Sequence, residues 1–162
     1  MHAPSGNQGR DDFSLDFLKH SDPLVLLNAN IYAQLALALC FLMLAFVVAN
    51  TANMTGVTFT SATIFIVYPL WAYYAIHRLP THVTIGATLG AGLLCVFLSL
   101  QMAVFWGALS VCEKVNFSVR QYSCNSKVAY RALSIACILL FLIQFVFMIL
   151  LAQFRLAVLK EG

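Results

Sequence analysis

Two long stretches without a charged residue constrain this chain more than any other feature of its sequence. No Asp, Glu, Lys or Arg occurs from Val83 to Ser110 or from Ala132 to Phe154. At about 1.5 Å per helical residue, each stretch is long enough to cross about 30 Å of hydrocarbon. Only 9% of the 162 residues are charged, whereas a water-soluble domain carries about 25%. The sequence therefore predicts an integral membrane protein.

The apolar stretches lack the alternation of hydrophobic and polar residues that marks a transmembrane β-barrel. Because backbone groups in the bilayer must be satisfied within their own segment, the stretches are predicted to be helices. We expect an all-α fold, an integral membrane four-helix transmembrane bundle with antiparallel neighbours. The four spans are predicted at about 31–50, 57–76, 83–110 and 129–154.

The spans belong to one transmembrane domain over residues 23–155, and both ends of the chain are predicted to lie outside the bilayer. Residues 1–22 form a polar tail, and the apolar pattern within Asp12–His20 indicates either a short interfacial helix or a loose segment before the first span. Residues 156–162 form a short C-terminal tail. The start lacks the features of a signal peptide, so we expect no removed leader.

Positive charge does not decide orientation, because the basic residues divide almost equally between the two predicted sides. Asn53 and Asn116 each begin an Asn-X-Ser/Thr glycosylation sequon, and both fall on the side opposite the termini. Cys112 and Cys124 fall on that side as well, and disulfides persist in oxidising compartments. The termini are therefore expected to be cytoplasmic, with both asparagines as glycosylation candidates.

Of the five cysteines, only Cys112 and Cys124 lie in a polar segment. A disulfide between them would join the outer ends of spans three and four and stabilise their loop by about 3 kcal/mol on a chain-entropy argument. The alternative is two free thiols in a reducing compartment. The other three cysteines lie inside spans, where cysteine serves as a small apolar packing residue.

Residues able to carry chemistry are sparse. No Cys-X-X-Cys occurs and no histidine lies in the middle of a span, which argues against thiol-redox and haem centres. No carboxylate lies within a span, which argues against proton-coupled transporters and pumps. His77 and His82 flank a turn without carboxylate or thiol partners, weak evidence for zinc. We therefore predict no enzyme, cofactor, metal site or nucleic-acid partner.

Two pairs of residues inside the spans are candidates for helix packing. Gly86 and Gly90 form a Gly-X-X-X-Gly pattern that another backbone can approach closely, either in a homodimer or inside the bundle. Gln101 and Gln144 carry amides that either pair across helices or contact a polar lipid or a partner helix. Pro69 is expected to bend the second span and so to shape a groove on the bundle surface.

The second half of the chain resembles the MARVEL-domain membrane proteins, the four-span group that includes MAL-like, synaptophysin-like and occludin-like proteins and small fungal members. The resemblance rests on Ala103–Cys112, on Cys124 and on Tyr130–Ala132 at the start of a Phe-rich span. The first half matches by topology alone. The resemblance implies cytoplasmic termini, with Cys112 and Cys124 in the outer loop and Trp106 near the end of span three.

The predicted function is non-enzymatic. A MARVEL-like protein would organise membrane microdomains, vesicle traffic or junctions through lateral contacts with membrane lipids, with other membrane proteins or with copies of itself. The alternative is a small accessory subunit of a larger membrane complex, such as a channel, transporter or respiratory assembly. The plasma membrane or endomembrane vesicles are the expected location.

Overall fold

A computed structural model describes residues 23–52, 55–111 and 127–161, and these residues form four α-helices. The helices are α1 (Pro23–Ala52), α2 (Thr55–Arg78), α3 (His82–Val111) and α4 (Lys127–Glu161). All four are long and apolar enough to cross a membrane, over Leu24–Ala49, Gly56–Arg78, His82–Val111 and Lys127–Arg155. Over the described residues, the predictions of an all-α fold and of four helices long and apolar enough to cross a membrane are confirmed.

Helix α1 begins at Pro23, whereas the first span was predicted from about residue 31. Proline suits the first turn of a helix because an N–H there has no partner within the helix. The amide nitrogens that suggested the later start each have one hydrogen-bond partner in the described structure. Gln34 is 1% exposed and its Nε2 donates to Asn30 Oδ1 at 2.8 Å. Polar residues are tolerated within a span where they face other helices.

The connection between α2 and α3 is short and ends in a helix cap. Thr81 Oγ1 accepts a hydrogen bond from the backbone N–H of Thr84 at 3.1 Å, and the Thr81 carbonyl accepts one from Ile85 at 2.9 Å. A threonine at this position satisfies N–H groups that the first turn of a helix would otherwise leave free. The cap defines the start of α3 close to the end of α2.

Aromatic side chains hold α1 against α2 over most of their length. The ring pairs lie 6.4, 5.4 and 4.9 Å apart between centroids, and they are Tyr32–Tyr73, Phe41–Phe65 and Phe46–Phe59. Residues later in α1 thus meet residues earlier in α2. Aromatic pairs at these separations add about 0.5–1.5 kcal/mol beyond the area they bury.

Helices α3 and α4 are the most closely packed neighbours, and α2 and α3 are the least closely packed adjacent pair. Trp106 of α3 is fully buried and stacks on Tyr130 of α4, with ring centroids 5.8 Å apart. Near this stack the Ser134 hydroxyl donates to the Ala103 carbonyl at 2.9 Å. The uneven packing leaves a gap on the α2–α3 side of the bundle.

Candidate functional site

One face of α3 is directed away from the other helices, and we call it the outer face of α3. Its members recur every three or four residues, as neighbours on a helix surface do. All are exposed, and they are Gly86, Gly90, Leu93, Phe97, Gln101 and Val104. A Cβ atom built at Gly86 or Gly90 would meet nothing within 4 Å. The predicted glycine pair therefore lies open on the surface and does not pack inside the bundle.

Gln101 lies on the same outer face, well inside the candidate span His82–Val111. It stands about 15 Å from the C-terminal end of α3 at about 1.5 Å per residue. Its amide makes no hydrogen bond within the part of the chain that the structure describes. Because hydrocarbon offers no hydrogen-bond partner, an amide directed toward lipid favours contact with another polar group.

Gln144 has the opposite environment. It is 1% exposed, and both atoms of its amide are buried without a hydrogen-bond partner in the described structure. Of the two alternatives predicted for Gln101 and Gln144, pairing with each other is not seen in the described structure, because α3 directs Met102, Ala103 and Trp106 inward and so turns Gln101 outward. The two glutamines therefore lie in different environments, one exposed and one buried.

A groove runs along the seam between α2 and α3, and we call it the α2–α3 groove. Its volume is about 620 Å³. The α2 wall consists of Thr63, Ile64, Val67, Tyr68 and Trp71, and the α3 wall of Ala91, Leu94, Cys95 and Leu98. Val67 and Leu94 are 55% and 72% exposed, so the groove opens on the outside of the bundle. Pro69 predicted a groove beside the second span, but the sequence did not predict that α3 forms its other wall.

Polar contacts join α1 to both of its neighbours. Asn30 Nδ2 donates to the Ile143 carbonyl of α4 at 3.4 Å. His77 of α2 places Nδ1 3.0 Å from the Tyr73 carbonyl and Nε2 3.4 Å from Asn28 Nδ2. Since a carbonyl only accepts, Nδ1 carries the hydrogen and Nε2 accepts from the asparagine amide. His77, considered above for zinc, thus has a structural role between α1 and α2.

Four residues predicted for the outer loops lie outside the described residues: Cys112, Cys124, Asn53 and Asn116. The disulfide between the cysteines and the glycosylation of the asparagines therefore stay predictions. The cysteines that the structure describes are free, and they are Cys40, Cys95 and Cys137. Within the described ranges, no group of three or more His, Cys, Asp or Glu side chains is arranged to hold a metal ion.

Comparisons with family models, with curated proteins and with solved structures found no match to this chain. The MARVEL-like assignment therefore stays a prediction, based on the residues and the four-span topology. Over the described residues, the bundle presents two candidate contact surfaces, the outer face of α3 and the α2–α3 groove.

Proposed function

We propose that this protein is a non-enzymatic, MARVEL-like four-span membrane protein that organises its surroundings through lateral contacts with copies of itself, other membrane proteins and lipids. The observation that carries the proposal is the outer face of α3. There an open Gly-X-X-X-Gly pair and an unpartnered amide, Gln101, share one stripe of a membrane-spanning helix.

The two features of this face complement each other physically. Glycines four residues apart let a second helix backbone approach closely, which strengthens the dispersion contacts that drive association in lipid. A close approach also brings the Gln101 amide within reach of a polar group on the partner. An amide is both donor and acceptor, so Gln101 of one copy is complementary to Gln101 of a second copy. Such bonds contribute about 0.6 kcal/mol on average in membranes.

The proposed topology is an antiparallel bundle with cytoplasmic termini. The ring contacts between α1 and α2 support the antiparallel arrangement, since residues later in one helix meet residues earlier in the other. An even number of spans would return the chain to its starting side. The connection that carries Cys112 and Cys124 would then lie on the side of the membrane opposite the termini. The proposed membrane is the plasma membrane or that of endomembrane vesicles.

The experiment is a measurement of self-association in phosphatidylcholine vesicles. Full-length chains labelled at the C-terminus with donor or acceptor fluorophores are mixed, and energy transfer is followed as the lipid-to-protein ratio rises. Replacing Gly86 and Gly90 together by leucine should weaken association about tenfold, because the added side chains separate the backbones. The matched control is Ala29→Leu with Ala36→Leu, which adds bulk to the exposed side of α1.

Equal association of the glycine double variant and the wild-type chain would contradict the role of the outer face. The accessory-subunit alternative makes a different prediction. Purification in a gentle detergent would then yield one larger membrane protein in equimolar amount, and the leucine substitutions would release that protein without any change in self-association.

A further inference from the structure

The α2–α3 groove lies at membrane depth. Its α2 wall occupies residues 63–71 of a helix that runs from Thr55 to Arg78, and its α3 wall occupies residues 91–98 of a helix that runs from His82 to Val111. Both walls are central segments of candidate spans. At about 1.5 Å per residue each wall is about 10–12 Å long. The groove is therefore within reach of the hydrocarbon tails of lipids.

The lining is almost wholly apolar, and its hydroxyl groups are already engaged. Thr63 Oγ1 donates to the Phe59 carbonyl of its own helix at 2.9 Å. Tyr68 directs its hydroxyl toward Met148 Sδ of α4, at 4.0 Å. Neither group requires a hydrogen-bond partner from outside. An occupant of the central groove consequently needs no polar atoms, which matches a hydrocarbon chain.

One end of the groove adjoins a band of exposed aromatic residues. Trp71 lines the groove, and its indole lies 6.4 Å from the ring of Tyr74 between centroids. Trp71, Tyr73 and Tyr74 are all at least 40% exposed toward the C-terminal end of α2. Tryptophan and tyrosine concentrate where lipid headgroups meet the hydrocarbon. The groove thus runs from the headgroup level into the hydrocarbon, as a lipid tail does.

The volume of the groove is compatible with a lipid tail. The groove offers about 620 Å³. Small-molecule sites in proteins span about 300–1,000 Å³ and are mostly apolar. The groove is of the size and chemistry of a small-molecule site.

We propose that the α2–α3 groove binds one acyl chain of a membrane phospholipid, with the headgroup at the Trp71–Tyr74 end. The proposal deepens the lipid contacts of the proposed function. The outer face of α3 adjoins the groove along Leu94, which lies four residues after Gly90, but neither Gly86 nor Gly90 lines the groove. Self-association is tested by substituting the glycines and lipid binding by substituting groove residues, so the two proposals fail separately.

The test uses phosphatidylcholine that carries a diazirine in the middle of one acyl chain. The full-length protein is reconstituted in vesicles that contain this lipid, washed in mild detergent to remove loosely held lipid, irradiated and digested. Adducts should concentrate in residues 63–71 and 91–98, about fivefold above the exposed α1 residues Ala36, Leu39, Cys40 and Met43. An even distribution of adducts over the four helices would overturn the proposal.

Two variants fill the groove from opposite walls, so that a folding defect in one leaves the other informative. Ala91→Phe and Val67→Trp should each reduce the groove adducts about fivefold. The matched controls are Ala36→Phe and Val47→Trp on α1. Val47 is 57% exposed and Val67 is 55% exposed, so the tryptophan variants differ in position and not in exposure. Groove adducts that persist at wild-type level in both filled variants would contradict acyl-chain binding.

A parallel arm replaces the lipid probe by a photoactivatable sterol. Sterol adducts in the groove that excess phosphatidylcholine fails to displace would assign the site to a sterol and overturn the proposal. Peptide-to-peptide cross-links between the groove walls of two copies would assign it to a second chain, with the same consequence. Displacement of the sterol by phosphatidylcholine supports the acyl chain as the occupant.

Discussion

Gly92 of α3 lies directly against the hydroxyl of Tyr68 in α2. A Cβ atom built on Gly92 would overlap both this hydroxyl and the Met148 sulfur of α4. Three helices therefore meet at a position that has room for a hydrogen atom and no more. Through this contact, the loosely packed helices α2 and α3 touch each other at the base of the groove, where Tyr68 is 4% exposed.

Replacing Gly92 by alanine is expected to lower the free energy of unfolding by about 1–3 kcal/mol, the range for an overpacked core. Met148 has a flexible side chain that can move aside, whereas the Tyr68 ring is rigid. The matched control is Gly90→Ala, because a Cβ at Gly90 meets nothing within 4 Å. Unfolding by sodium dodecyl sulfate in mixed micelles measures both variants. Equal stability of the two would show that the contact at Gly92 is not tight.

Ser134→Ala is expected to destabilise the bundle by about 0.6 kcal/mol, and by at most about 2 kcal/mol, because its hydroxyl links α4 to α3. The bond runs to the Ala103 carbonyl at 2.9 Å. Ser99→Ala is the matched control, since the buried Ser99 hydroxyl donates at 2.9 Å to the Val96 carbonyl of its own helix. If Ser99→Ala lowers the free energy of unfolding as much as Ser134→Ala does, the interhelical hydrogen bond has no special role.

Gln144→Met is expected to leave stability unchanged or to raise it by about 1 kcal/mol, because it removes two buried polar atoms that have no partner in the described structure. Gln34→Met is the comparison variant. Gln34 Oε1 also lacks a partner in the described structure, but this substitution deletes the bond from Nε2 to Asn30 Oδ1, so Gln34→Met should be about 1 kcal/mol less stable than Gln144→Met. The same unfolding assay applies. A clear loss of stability in Gln144→Met would show that this amide has a bound partner in the membrane.

The predicted disulfide between Cys112 and Cys124 can be tested by counting the free thiols of the chain. If Cys112 and Cys124 are joined, alkylation of the denatured chain without reduction labels Cys40, Cys95 and Cys137 alone, whereas all 5 cysteines are labelled after reduction. Mass spectrometry of the intact protein distinguishes the two results. Labelling of all five before reduction would establish the free-thiol alternative. The disulfide would stabilise the fold by about 3 kcal/mol on the chain-entropy argument.

Much of the fold was predictable because the bilayer leaves few choices. A stretch that is long and uncharged, such as Ala132–Phe154, must satisfy its backbone internally and becomes a helix. The start of α1 was less predictable. Asn28, Asn30 and Gln34 are costly in lipid when considered singly, and only the structure reveals that Asn30 and Gln34 are hydrogen-bonded to each other and that Asn30 also reaches α4.

The candidate contact surfaces were harder to predict, for a physical reason. In water, the polar face of a helix identifies its outside, but a helix surrounded by lipid is apolar on every side and its sequence carries little record of which face is inward. Gly86, Gly90 and Gly92 are chemically identical, yet the first two lie open and the third packs against Tyr68.

Composition and hydropathy were thus sufficient to predict four helices long and apolar enough to cross a membrane, since that conclusion depends only on length and the absence of charge. The rotation of each helix about its axis was decided by side-chain packing between helices. That rotation turned Gln101 outward and Gln144 inward, opened the α2–α3 groove and exposed the outer face of α3, because all of these depend on which neighbours a helix meets and not on its own sequence.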